Sequence, residues 1–211
     1  VLDIRDIFPD TLKDLRPASL FRPASRVFSL LERLAMGRAL AVNLVSRGFE
    51  PYFTSRYPSQ TFFFHPNGID EEFMADPSED RASVDGSPVR VLYAGNIGEG
   101  QGLEGILPRL AKATAGQARV TVIGDGGRRA QLLHALKDEA VTNVELLDPV
   151  GRSDLVRAYA KADVLFLHLN DYDAFQKVLP SKIFEYAATG KPIWAGVAGY
   201  AARFIESEVE G

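Results

Sequence analysis

The stretch Leu179-Pro180-Ser181-Lys182-Ile183-Phe184-Glu185-Tyr186-Ala187-Ala188-Thr189-Gly190-Lys191-Pro192 decides how this chain reads. Pro180 and Ser181 supply the turn and cap of a helix, Gly190 closes it, and Ile193-Trp194-Ala195 follows as a short apolar strand. A helix that starts straight after a loop presents unpaired backbone N–H groups and a positive dipole end, which suit a phosphate. Lys182 adds a mobile cation there, and Glu185, about one turn further in, can accept hydrogen bonds from a diol such as a ribose. The same pattern also opens many ordinary helices, so the neighbouring sequence has to decide.

Working outward, the chain alternates strands and helices from residue 89 onward. The apolar runs Val89–Ala94, Arg119–Ile123, Val144–Leu147 and Val164–Leu167 read as strands, with helices at 103–115, 128–138, 153–160 and after Pro180. Nearly continuous apolar strands between amphipathic helices predict a parallel sheet covered on both faces, which binds ligands at the carboxyl ends of its strands. The loops to inspect are then Gly95–Gly102, Gly124–Arg129, Asp148–Arg152 and His168–Leu179. Before residue 76, apolar residues at 27, 30, 31, 34 and 35 predict a helix up to Gly37. Ala39–Val45 and Thr61–His65 read as strands, the latter ending in the turn Asn67-Gly68. The segment 76–88 is poor in apolar residues and reads as a linker between domains 1–75 and 89–211.

Composition narrows the chemistry. The 211 residues are 46% hydrophobic, enough for a core, and the absence of cysteine rules out disulfides and thiolate chemistry. His65, His134 and His168 lack metal-ligand spacing, so no metal is expected. No apolar run reaches the roughly 20 residues of a membrane span. Lys13, Arg16, Arg22, Arg26, Arg33, Arg38 and Arg47 face only Asp14 and Glu32 between residues 11 and 48, so the remainder is more acidic than the net charge of −4. The basic, leucine-rich 11–48 segment is a candidate face for an anionic membrane, against the alternative of a solvated helix packed on its own domain. The acidic remainder argues against nucleic acid as a partner. The chain opens at Val1, inside an apolar run and without an initiating methionine, which reads as the start of a fragment.

The segment around Lys182 and Glu185 resembles the nucleotide-sugar signature of retaining glycosyltransferases with two Rossmann-like domains, the GT-B architecture of glycosyltransferase family 4. The likeness is strongest to the bacterial branch that transfers N-acetylated amino sugars in O-antigen and capsule synthesis. It extends to Gly95-Asn96-Ile97-Gly98-Glu99-Gly100-Gln101-Gly102, to Gly124-Asp125-Gly126, and to Asp148-Pro149-Val150-Gly151-Arg152. Val1–Asp10, Leu44-Val45-Ser46 and Pro66–Asp70 match the end of the acceptor-side domain.

The resemblance implies an α/β fold: a Rossmann-like donor domain, preceded by the C-terminal part of a second one. It implies donor contacts from Gly95, Asn96, Gly98, Gln101, Gly124, Asp125, Val150, Arg152, Lys177, Ser181, Lys182 and Glu185. The family's frequent Arg and Lys in the first loop are Asn96 and Gln101 here, which shifts the task to backbone N–H groups, Lys182 and Lys177. Lys177 also stands where many relatives carry the first of two glutamates. For the turn at Asp125, capping of the next helix is the plainer role, while Arg128 could face an anion. The implied reaction is metal-independent, uses no cofactor, and takes a sugar from a nucleotide-diphosphate donor, UDP above all. The implied acceptor is a lipid-linked saccharide at the cytoplasmic face of the plasma membrane, and no catalytic group is identified. This chain alone is expected to bind donor with little turnover. The alternatives are a sugar-nucleotide 2-epimerase of the same architecture and a non-catalytic nucleotide-binding module.

Overall fold

The structure is a computed structural model that describes residues 1–15, 18–74 and 86–209, with the side chains of 12–26 outside the description. The expected linker at 76–88 therefore lies outside the described residues except for its last three. The chain forms two compact units, Val1–Gly68 with Asp171–Ser181 and the segment from Val197 on, and Ile69–Asn170 with Lys182–Gly196.

In the first unit, β1 (Leu2–Ile4), β2 (Val42–Leu44) and β3 (Phe62–Phe63) form a parallel sheet in that order. Around it are α1 (Phe8–Leu15), α2 (Ala18–Arg38), α3 (Glu50–Arg56) and the last helix, α8 (Gly199–Glu208). Ile7, Met36, Val42, Leu44, Phe49 and Phe53 form its core. The strands expected at 39–45 and 61–65 are both shorter, the first because α2 runs on past Gly37 and Ala39 N–H still bonds to Met36 O. In α2, Val27, Leu30, Leu31 and Leu34 are exposed, so of the two readings of the 11–48 segment the helix packed on its own domain is not what these residues show.

Continuous domains at 1–75 and 89–211 are not how the chain folds into units, because two later segments return to the first. Val178 packs against the first unit's core. The Ser46 hydroxyl donates to Lys177 O at 2.6 Å. A Cβ on Gly48 would lie 2.2 Å from Lys177 O, so only glycine lets these backbones meet.

The second unit carries β4 (Val89–Ala94), α4 (Leu103–Ala113), β5 (Ala118–Ile123), α5 (Arg129–Asp138), β6 (Val144–Leu147), α6 (Arg152–Lys161), β7 (Val164–His168), α7 (Lys182–Ala188) and β8 (Ile193–Gly196). Every pairing is parallel and the order is β6-β5-β4-β7-β8, so the winding reverses at β4. This is the α/β, Rossmann-like pattern, which opens a crevice at the strand ends where the order reverses. On one face Val91, Tyr93, Val120, Val122 and Phe166 pack under Leu103, Leu107, Leu132 and Leu136 of α4 and α5. α7 starts at Lys182, which places Glu185 in its first turn.

Arg90 and Asp163 join the starts of β4 and β7. The Arg90 guanidinium donates at 2.8 and 3.1 Å, and Arg90 N–H adds a bond of 2.8 Å. These bonds hold the Asp163 carboxyl below its ordinary value of 3.8. The folded state thus binds this proton less tightly than the unfolded one, so the contribution is whole above that value and fades as pH falls through the folded pKa. Asp163→Asn is expected to lower the urea midpoint at neutral pH. Below about pH 4 it should flatten the acid loss relative to wild type, as followed by the fluorescence of Trp194, the single tryptophan. Parallel acid branches would show that the pair contributes no pH-dependent stability.

Candidate functional site

Beyond the strand ends of the second unit, the turns after β4 and β5 meet backbone to backbone. Gly95 N–H donates to Ile123 O at 2.9 Å, Ile97 N–H to Asp125 O at 2.8 Å, and Arg128 N–H returns to Ile97 O at 2.9 Å. A Cβ on Gly124 would lie 1.9 Å from Gly95 O, and one on Gly126 would lie 2.4 Å from Ile97 O. No larger residue fits between the turns without separating them. Side chains from the end of β7, the residues just after it, and β4 itself brace the first turn. His168 Nδ1 lies 2.6 Å from Gln101 O, Asn170 Nδ2 donates to Glu99 O at 2.6 Å, and Tyr93 OH donates to Asn96 O at 2.5 Å.

These turns form the floor of an open cavity of about 300 Å³ lined by Ala94, Gly95, Asn96, Ile123, Gly124, Asp125, Pro149, Val150, Leu155 and Lys182. Of the residues expected to touch a donor, Gly95, Asn96, Gly124, Asp125, Val150 and Lys182 thus come together. Gly95 and Lys182 approach closely: a Cβ on the glycine would meet the lysine Cε at 3.7 Å.

Other expectations need correction. Lys182 is not a mobile cation, since its Nζ donates to Glu185 Oε2 at 2.8 Å and to Tyr159 OH at 3.1 Å. Glu185 stands behind that lysine rather than in the cavity lining, with Tyr159 OH also donating to its Oε2 at 2.9 Å. Gln101 turns into its own loop, where Oε1 accepts from Asn96 Nδ2 at 3.0 Å and from Gly98 N–H at 3.2 Å. Gly98 and Gln101 therefore shape the turn without lining the cavity.

Asp125 does not cap α5. Its Oδ1 accepts from Gly126 N–H at 2.8 Å, and α5 begins without a side-chain cap. Arg128 pairs with Glu99 at 2.8 Å instead of facing open space. Arg152 is drawn to Asp70 at 2.7 Å, and Pro149 and Val150 represent its loop in the wall. Lys177 belongs to the first unit, where its Nζ meets Asp10 at 2.6 Å. Ser181 is the last residue of its segment of that unit.

The backbone donors are also partly used. Gly95 N–H is spent on Ile123 O, and Gly124 N–H donates to Leu147 O at 3.1 Å. The amides of Asn96 and Asp125 have no acceptor among the described residues. The wall thus includes Asn96 and Asp125, whose amides are open, the Lys182 side chain, and an apolar side from Ile123, Pro149, Val150 and Leu155. That set suits an anion attached to a flat, partly apolar group. Sequence reasoning missed Leu155 and Tyr159, both on one side of α6, because such spacing in a helix reads simply as core.

The profile of the family described as Glycosyl transferases group 1 matches residues 88–211. WbjE of Pseudomonas aeruginosa, which carries the name glycosyltransferase, is 28% identical over 208 residues, covering 92% of this chain and 50% of its own length. Among solved structures, the chain resembles Anabaena Alr3699/HepE in complex with UDP and glucose, with a TM-score of 0.69 and 18% identity over 96% of this chain and 54% of that one. It also resembles WaaG, a glycosyltransferase involved in lipopolysaccharide biosynthesis, with a TM-score of 0.69 and 19% identity over 97% of this chain and 58% of that one. At these identities the structural likeness speaks for the fold. The chain spans about a quarter to a half of the length of the curated relatives it matches.

Gly124→Ala forces its methyl onto Gly95 O and is expected to cost about 1–3 kcal/mol, as overpacked sites do. Gly127→Ala, whose Cβ meets nothing within 4 Å, is the control and should stay near wild type. Urea unfolding of the two variants checks this, and equal midpoints would contradict the close approach of the turns.

Proposed function

The chain belongs to the group 1 glycosyltransferases, and from that premise we propose that its second unit binds the nucleotide-diphosphate sugar of a retaining family 4 enzyme, with UDP as the nucleotide. The observation that carries this reading is the convergence of Lys182, Asn96, Asp125 and Val150 on one cavity at the strand ends, with the Asn96 and Asp125 amides free of a protein acceptor among the described residues. The diphosphate lies against Lys182 and the amides, and the base lies toward Pro149, Val150 and Leu155. Glu185 sits next to Lys182 on α7, within reach of the ribose once the lysine turns to the phosphate. In the transfer step, negative charge grows on the departing diphosphate, and fixed donors that meet it there lower the barrier. The sugar, N-acetylated in this reading, passes to a lipid-linked saccharide of surface polysaccharide synthesis. Relatives named as glycosyltransferases, among them one of lipopolysaccharide biosynthesis, support that setting.

Calorimetry of this chain with UDP, GDP and ADP tests the reading. UDP is expected to bind best, and Lys182→Ala should weaken it about ten- to a hundredfold, the scale of a hydrogen bond to a charged group. No binding of UDP to wild type, or equal affinities for wild type and variant, would contradict it.

A further inference from the structure

Tyr159 holds a position that the donor-binding reading does not use. It lies on α6 one turn beyond Leu155, which lines the cavity, and it is only 1% exposed. Its ring packs edge-on against Tyr186, with centroids 5.5 Å apart, and beside Phe73 at 5.6 Å. Ring packing on two sides leaves the phenol one direction in which to point. There it closes a triangle: Lys182 Nζ donates to Tyr159 OH, the hydroxyl donates to Glu185 Oε2, and Lys182 Nζ donates to the same oxygen.

We infer that Tyr159 is a positioning residue that makes Lys182 and Glu185 one recognition element, so that contacts to the diphosphate and to the ribose are coupled. The inference rests on the donor site proposed above. A diphosphate that draws Lys182 Nζ into the cavity takes away one of the two donors on Glu185 Oε2. The other donor, Tyr159 OH, stays, because its ring is fixed by Tyr186 and Phe73. The carboxylate therefore keeps its place instead of following the lysine or turning to solvent. Burial, followed by the interactions with Tyr186 and the Glu185 carboxylate, pushes the phenol far up, so it remains a donor throughout the working pH range. Without the hydroxyl, Lys182 and Glu185 would hold only each other. A ligand that recruits the lysine would then leave an unsupported, largely buried carboxylate.

Tyr159→Phe keeps the ring and removes only the hydroxyl, which makes it the direct test. UDP affinity of this chain, measured by calorimetry, is expected to fall about tenfold in Tyr159→Phe. In a Glu185→Ala background the same substitution should change it less than twofold, because the group being positioned is gone. A loss of stability alone would lower affinity equally in both backgrounds and would overturn the inference. Unchanged affinity in Tyr159→Phe, with UDP still weakened in Lys182→Ala, overturns the inference and leaves the donor site standing. Absence of UDP binding to wild type overturns the donor site itself. If Tyr159→Phe does not fold, side-chain ammonium NMR of the unaltered chain decides. A protected Lys182 ammonium signal that shifts on addition of UDP supports the coupling, and an unprotected signal overturns it.

Discussion

The candidate site exists because two glycine turns come closer than any side chain allows. With Gly95 O occupying the place a Gly124 Cβ would need, and Ile97 O that of a Gly126 Cβ, the ends of β4 and β5 stay paired beyond their strands. The β-ladder between them runs in register from Val89 opposite Ala118 to Ala94 opposite Ile123, and Gly95 N–H adds one more bond to Ile123 O. Paired this tightly, the backbone itself becomes a wall. Side chains then enter only from the perimeter, with Val150 and Leu155 on one side and Lys182 on another.

Charge is used sparingly in this wall. Lys182 is the single basic residue and Asp125 the single acidic one among the cavity-lining residues. Other charged groups that the sequence offers to a ligand are taken by partners elsewhere: Arg128 by Glu99, Arg152 by Asp70 and Lys177 by Asp10. Partly exposed pairs of this kind add little stability, but each one fixes where a cation is not available. Selection of an anion then falls to one lysine and to oriented amides, which require no reorganisation when the ligand arrives.

The second unit was legible in the sequence to a degree the first was not. The strands Val89–Ala94 and Val144–Leu147 end where their apolar runs end; in β4, at the middle of the sheet, this is because both faces are covered over most of its length and the run records the strand. In the first unit β1, β2 and β3 are only two or three residues long, and runs such as Ala39–Val45 extend beyond the pairing. At the site, the glycine turns were visible because close backbone approach restricts residue type. The directions of Gln101, Arg152 and Lys177 were not, since each is decided by a partner distant in sequence or by local loop closure. Tyr159 was hidden for a further reason: on an amphipathic helix a tyrosine reads as core, and its hydroxyl partners come from α7.

The central claim is that nucleotide recognition resides at the junction of the β4 and β5 turns with Lys182. Amide NMR of the uniformly labelled chain, titrated with UDP, tests this most directly. The account predicts saturable shifts at Asn96, Asp125, Val150 and Lys182, with the core amides of α4 unmoved. Shifts gathered elsewhere in the chain, or none at UDP concentrations in the millimolar range, would contradict it.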